Sequence, residues 1–265
     1  MPILHLILVA IVQGITEFLP VSSSGHLILV PNLTGLEDQG LVIDVAVHVG
    51  TLGAVVLYFW SDVRRAFFGL FRLHDLQHPD ARLALGLIVA TIPVVVAGLL
   101  LKLSGYDEAL RSIAVVGWST LIFGLVLFWA DRTGDDAKTA DDWSMKDAMV
   151  MGVWQVLALI PGTSRSGITI TGARQLGYAR GEAARLAMLM SIPTILASGT
   201  LIGLEVASSM DGAAARDSTI AAAFAFVAAL AALHFMMRLL RSVSFTPYVI
   251  YRIALGLVLL AIAYT

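Results

Sequence analysis

The sequence predicts an all-α, polytopic membrane protein, an inverted repeat of two halves in which a re-entrant helical hairpin is followed by three transmembrane helices. Three observations carry that expectation. Hydrophobic residues make up 58% of the 265-residue chain and charged residues only 14%, where a soluble domain carries about a quarter charged; the mean hydropathy is +0.86. Two apolar stretches are interrupted midway by a proline and a cluster of hydroxyl residues. The Lys and Arg residues segregate to one side only if both of those stretches turn back.

The first interrupted stretch runs from Ile3 to Val30 and contains Gln13-Gly-Ile-Thr-Glu17-Phe-Leu-Pro20-Val-Ser22-Ser23-Ser24-Gly25-His26. Proline has no amide donor and restrains the residue before it, so the helix ends there. The serines that follow suit the cap of a second helix, because their hydroxyls accept from its free N–H groups. Uncharged or nearly uncharged spans come next, at Leu41–Trp60 (with Asp44 and His48), Leu83–Leu101 and Ser112–Ala130. About 20 apolar residues cross a bilayer. The polar stretch Asp131–Asp147 reads as a loop.

The pattern then repeats. Gln155 precedes Pro161-Gly162-Thr163-Ser164-Arg165-Ser166-Gly167 within Ala148–Ile170, at an offset of 142 residues from the first motif. Spans follow at Leu186–Leu204, Ser218–Met237 (with His234) and Thr246–Thr265 (with Arg252). One membrane domain, 1–265, therefore divides into halves of about 1–132 and 145–265.

Positive charge decides between crossing and re-entry. With both interrupted segments re-entrant, 13 of the 17 Lys and Arg residues fall on one side, three (Lys102, Arg111 and Arg216) on the other, and Arg165 stays in the membrane. With both crossing, the split is eight against eight. Cytoplasmic loops are enriched in Lys and Arg, so re-entry is expected, with Asp38 and Gly212 outside and Gln77, Thr139 and Ser244 inside. Three spans per half, an odd number, make the halves inverted. Met1–Ala10 has no Lys or Arg before its apolar run, unlike a cleaved signal, and is expected to belong to the mature fold. The absence of cysteine excludes thiolate chemistry and disulfides, and a net charge of −2 argues against a nucleic-acid partner.

Two helices that begin inside the membrane present free N–H groups and partial positive charge, an anion site. Arg165 adds a planar fork that suits phosphate oxygens. Such broken helices at matching places in two halves point to a midplane binding site. Arg165 reads either as that phosphate clamp or as an ion pair with Glu17 joining the halves. Gln13 and Glu17, four residues apart, face one way and either hold a divalent cation, polarise water or make interhelical bonds. His26 is a candidate nucleophile, base or acid, or a packed histidine. Asp44 and His48 read as a structural pair. The same architecture suits a lipid-phosphate transporter, which needs no nucleophile.

The segments at 13–26 and 161–167 resemble the two signature motifs of the undecaprenyl-diphosphate phosphatases, the bacitracin-resistance family of bacterial membrane phosphatases, and Ile43–Gly50 is similar to a third family segment. The resemblance spans the chain. It implies removal of the terminal phosphate of undecaprenyl diphosphate, recycling of the carrier lipid for the cell wall, location in the bacterial inner membrane with a site open to the periplasm, and a divalent cation, Mg²⁺ or Ca²⁺. Position 13 is Gln where many members have Glu, which puts a two-carboxylate metal site in doubt. The expected catalytic set is Glu17, Ser23, His26 and Arg165, with Ser23 as nucleophile and His26 as its base or the leaving-group acid; direct attack by His26, or by a water activated by Glu17, is the rival. Ser22, Ser24, Gly25, Thr163, Ser164 and Ser166 are expected to bind substrate, and Glu17 with Gln13 the metal. Oligomeric state stays open, a homodimer included.

Overall fold

The computed structural model describes residues 2–35, 39–106, 109–207 and 212–265, so Asp38 lies outside the described residues. Eleven α-helices are present among these: α1 (Ile3–Thr16), α2 (Ser23–Thr34), α3 (Gly40–Tyr58), α4 (Trp60–Leu70), α5 (Pro79–Ser104), α6 (Ile113–Thr133), α7 (Met145–Val156), α8 (Arg165–Gln175), α9 (Arg180–Ala207), α10 (Gly212–Leu239) and α11 (Thr246–Tyr264). Six of them, α3, α5, α6, α9, α10 and α11, are long and apolar enough to cross a membrane. They fall where the hydropathy pattern predicts. Four of the five shorter helices, α1, α2, α7 and α8, form the two interrupted segments, broken at residues 17–22 and 157–164.

Packing among these helices comes in corresponding pairs. α1 lies on α10 as α7 lies on α5; α3 lies on α10 as α9 lies on α5; α3 meets α9, and α6 meets α11. Lipid tails are as apolar as leucine, so helices in a bilayer gain little from hydrophobicity and associate by close backbone approach at small residues. A β-carbon at Gly50 of α3 would lie 2.2 Å from the Ala222 carbonyl oxygen of α10, and one at Gly14 of α1 would lie 2.6 Å from that of Ala225. Alanine at either position pushes two helices apart.

Helix α4 was not legible as an element. Its sequence alternates charge and aromatics, leaving Trp60, Phe67, Phe68 and Leu70 exposed while Arg65 pairs with Asp80 at 3.0 Å. That is the character of a helix lying in the membrane interface.

One basic residue is misplaced in the charge tally. Arg252, six residues into α11, was counted with the cytoplasmic side, but its side chain is fully buried and bonds to the breaks. Its Nη2 donates to the carbonyls of Gly162 and Thr163 at 3.1 and 2.9 Å, its Nη1 to that of Pro20 at 3.4 Å, and its Nε to that of Thr120 at 3.1 Å. Twelve residues against three remain, with two arginines inside, so the asymmetry survives. The physical reason is accounting: irregular backbone away from water needs donors for its carbonyls, and one guanidinium serves both breaks.

Candidate active site

The two breaks are built alike and dock on each other. Ser22 and Ser164, 142 positions apart, are, among the described residues, the two non-glycine residues with positive φ, at 72° and 69°. Each such conformation costs on the order of 1–3 kcal/mol and persists only where surroundings fix it. Here the Ser22 and Ser24 hydroxyls are bonded at 3.1 Å, and those of Ser164 and Ser166 at the same distance. Ser164 caps α8 by accepting from the Gly167 amide at 3.2 Å. Across the breaks, the Gly162 amide donates to the Ser24 hydroxyl at 3.1 Å and the Ser166 hydroxyl donates to the Leu19 carbonyl at 3.0 Å. The Ser119 hydroxyl donates to the Pro161 carbonyl.

A polar cavity of about 190 Å³ opens where the two helix starts meet, lined by Glu17, Ser22, Ser23, Ser24, Ser164 and Arg165 among others. Glu17 is its hub. Its Oε1 accepts from the Arg165 guanidinium, and its Oε2 accepts from the Ser23 hydroxyl at 3.1 Å and from the Gln13 amide at 2.7 Å. The other Arg165 nitrogen donates to the Ser191 carbonyl at 3.5 Å. Both readings of Arg165 therefore meet in one residue: it pairs with Glu17 across the halves, and it stands in the cavity at the start of α8.

His26 stands apart from this group. Its Nδ1 is 2.7 Å from the Ser22 carbonyl oxygen, which only accepts, so the ring proton is on Nδ1. Nε2 then accepts from the Tyr251 hydroxyl at 2.6 Å, and the two rings stack at 5.5 Å. The hydroxyl of Ser23 faces Glu17, so the carboxylate, rather than the expected imidazole, occupies the position of its base. The other residues expected to bind substrate divide. Ser22, Ser24 and Ser164 line the cavity; Ser166 serves the docking bond, Thr163 is buried beneath the break, and Gly25 packs toward Leu255 and Leu259 of α11.

His48 is the residue that sequence reasoning placed wrongly. The Asp44 carboxylate accepts from Gln39 at 2.8 Å instead of pairing with His48. The His48 Nδ1 donates to the Asp44 carbonyl at 2.7 Å, and its Nε2 lies 3.2 Å from the Gln13 amide nitrogen and 3.8 Å from Glu17 Oε2. The signal was there: an ionisable side chain within a span is costly and usually functional. Tyr251 offered none, since a tyrosine in a span is ordinary.

A hard divalent cation takes roughly six to eight oxygen ligands. Glu17 has both oxygens engaged, Gln13 turns its NH₂ toward that carboxylate, and no cluster of three His, Asp or Glu converges among the described residues. The side chains as arranged do not fit a cation held by the protein alone.

A profile of the bacitracin resistance protein BacA family matches residues 6–258. The chain belongs to that family. Its relatives include an undecaprenyl-diphosphatase of Ruegeria pomeroyi, 70% identical over the full length of both chains. Another from Rhodospirillum rubrum is 45% identical over all of this chain and 96% of the relative. A third, from Chromohalobacter salexigens, is 45% identical over 97% of each. The cavity at the two breaks thus belongs to a BacA-family chain, and both motifs that form it lie inside the matched region.

Proposed function

We propose that this chain is an undecaprenyl-diphosphate phosphatase of the bacterial inner membrane, hydrolysing the lipid diphosphate to lipid phosphate and inorganic phosphate. The observation that carries the reading is the convergence of Ser23, Glu17 and Arg165 in one cavity at two opposed helix starts. An apolar groove of about 390 Å³ between α3 and α9, lined by Leu41, Val45, Val49, Leu52 and Leu196, shares His48, Ile195 and Ser198 with that cavity. The groove takes the first isoprene units of the tail, with the rest in the surrounding lipid, and the cavity takes the diphosphate. The lipid phosphate released is the carrier used again in cell-wall synthesis, and its regeneration is what confers bacitracin resistance.

Phosphoryl transfer depends chiefly on positioning and on stabilising charge. Ser23 attacks the terminal phosphorus, Glu17 takes its proton, and Arg165 with the N–H groups at the starts of α2 and α8 holds the charge on the phosphoryl oxygens. Arg165 must then share its fork between Glu17 and phosphate. No step runs through a metal. A lipid-phosphate carrier would need neither the Ser23–Glu17 bond nor a base. Phosphate release from undecaprenyl diphosphate by purified protein is the expected result; binding without release would overturn the reading in favour of transport.

The paired packing of the halves and the matching backbone at Ser22 and Ser164 support two inverted re-entrant hairpins with the cavity open to the periplasm. The lack of native cysteine allows a direct check. A membrane-impermeant maleimide on intact cells is expected to label single cysteines at positions 104 and 212 but not at 77, 139 or 244. Crossing segments would instead place 104 with 244, and 212 with 77 and 139, so labelling in that pattern rules out re-entry.

A further inference from the structure

We infer that the chain carries a second anion site, away from the catalytic cavity, which seats the headgroup of an anionic phospholipid. A cavity of about 300 Å³ lies between α4, the starts of α5 and α9, and the turn at 140–143. Arg65 of α4, Arg82 of α5 and Arg185 of α9 line it, with Asp62, Asp141 and Trp143. None of these residues lines the cavity at the breaks. Residues 77 and 139 flank this site, on the side that the charge asymmetry assigns to the cytoplasm. The site depends on that assignment only for which leaflet it faces.

Its charges do not cancel. Asp62, buried, takes the Arg185 guanidinium through both oxygens, at 2.5 and 2.9 Å, and Glu182 lies 3.3 Å from a third Arg185 nitrogen. Arg65 donates to Asp80 at 3.0 Å, while Asp141, 79% exposed, stands 4.0 Å away. Arg82 has no hydrogen bond or ion pair among the described residues. Three guanidinium groups thus line the cavity with two carboxylates, and the surplus cation is the one with a free fork. Trp143 is an independent sign. It is only 4% exposed, yet its indole N–H has no acceptor among the described residues, where a buried indole usually finds one. A phosphate oxygen in the cavity is an acceptor that both the indole and Arg82 lack.

The rest of the surroundings favours a lipid over a soluble phosphate. Leu83 and Leu189 complete the wall with apolar surface. Beside it α4 leaves Trp60, Phe67, Phe68 and Phe71 exposed, as a helix in the headgroup layer does. Basic pockets between membrane helices at the cytoplasmic surface take anionic headgroups, and an arginine fork fits two phosphate oxygens. A phosphodiester at headgroup depth reaches Arg82 without leaving the bilayer, and its acyl chains run along the apolar side chains. A soluble phosphate matches the charge but leaves that apolar wall uncovered.

The test is native mass spectrometry of purified protein released from nanodiscs of phosphatidylethanolamine and phosphatidylglycerol, comparing wild type with Arg82→Gln and Arg64→Gln. Arg64 lies over the Phe68 ring at 5.7 Å and outside the lining, so it reports diffuse surface charge. Wild type is expected to retain phosphatidylglycerol in preference to phosphatidylethanolamine. Arg82→Gln should lose that preference by at least about tenfold, the worth of a hydrogen bond to a charged group, and Arg64→Gln should keep it. Arg82 holds nothing else in place, so its variant should melt with wild type. The readout is binding, so it is separate from whether the chain hydrolyses lipid diphosphate. Equal losses in the two variants, or no loss in Arg82→Gln, would overturn the site. Retention of added inorganic phosphate by wild type in place of the lipid would overturn its assignment to a phospholipid.

Discussion

Arg165→Lys is expected to lower kcat for lipid diphosphate by about 10²–10³-fold, and Arg165→Ala by about 10³-fold or more, the scale of an arginine supplied to a phosphoryl-transfer transition state. The guanidinium bridges two jobs in the structure: one nitrogen bonds Glu17 and the other reaches the Ser191 carbonyl. In the proposed reaction the planar fork keeps one edge on Glu17 while turning the other to phosphoryl oxygens. A lysine ammonium is a point charge without that fork, so it serves the carboxylate or the phosphate but not both in fixed geometry. The lysine variant is the informative one. It keeps a cation beside Glu17, whose side chain is only 7% exposed, whereas alanine leaves that buried carboxylate unpaired at a cost of several kcal/mol. Steady-state hydrolysis by folded, purified Arg165→Lys measures the clamp. A rate near wild type would mean that Arg165 only joins the halves.

The six spans, both breaks and the Ser, Glu and Arg of the cavity were legible because their signals are local. Pro20 and Pro161 are each followed by a run of small hydroxyl residues and so mark breaks, whereas Pro93 and Pro193, without such a run, are carried inside α5 and α9; a mid-membrane arginine followed by serine marks a helix start. The charge asymmetry was readable too, since it sums over loops. What escaped depended on how helices rotate against one another. His48 is 35 residues from Gln13, and the side to which its ring turns is fixed by α3 packing on α10 through Gly50. Tyr251 meets His26 across 225 residues. Arg252 looked like a flanking cation because sequence alone does not say that both breaks need donors for the same face of backbone. The positive φ at Ser22 and Ser164 was equally hidden, since glycine is the residue that usually announces that conformation.

Ser23→Ala is expected to abolish turnover to at least about 10³-fold below wild type, the loss typical of removing a covalent nucleophile, while His26→Ala retains more. The geometry gives the order. Ser23 lines the cavity and donates its proton to Glu17 at 3.1 Å, so nucleophile and base are already in contact. The His26 lone pair is occupied by the Tyr251 hydroxyl at 2.6 Å, and the ring must leave both that bond and its stacking partner before Nε2 faces phosphorus. Acid quench during turnover of the wild-type enzyme should therefore trap phosphate on serine, in a peptide containing residue 23, and the trapped label should vanish in Ser23→Ala. A phosphohistidine trapped by a parallel alkaline quench, which preserves the P–N bond that acid would cleave, with Ser23→Ala the more active variant, would transfer the nucleophile to His26 and leave Tyr251 as its guard. Equal residual rates and no covalent label in either variant would mean that water attacks directly, with Glu17 as its base and Ser23 reduced to holding that carboxylate in place.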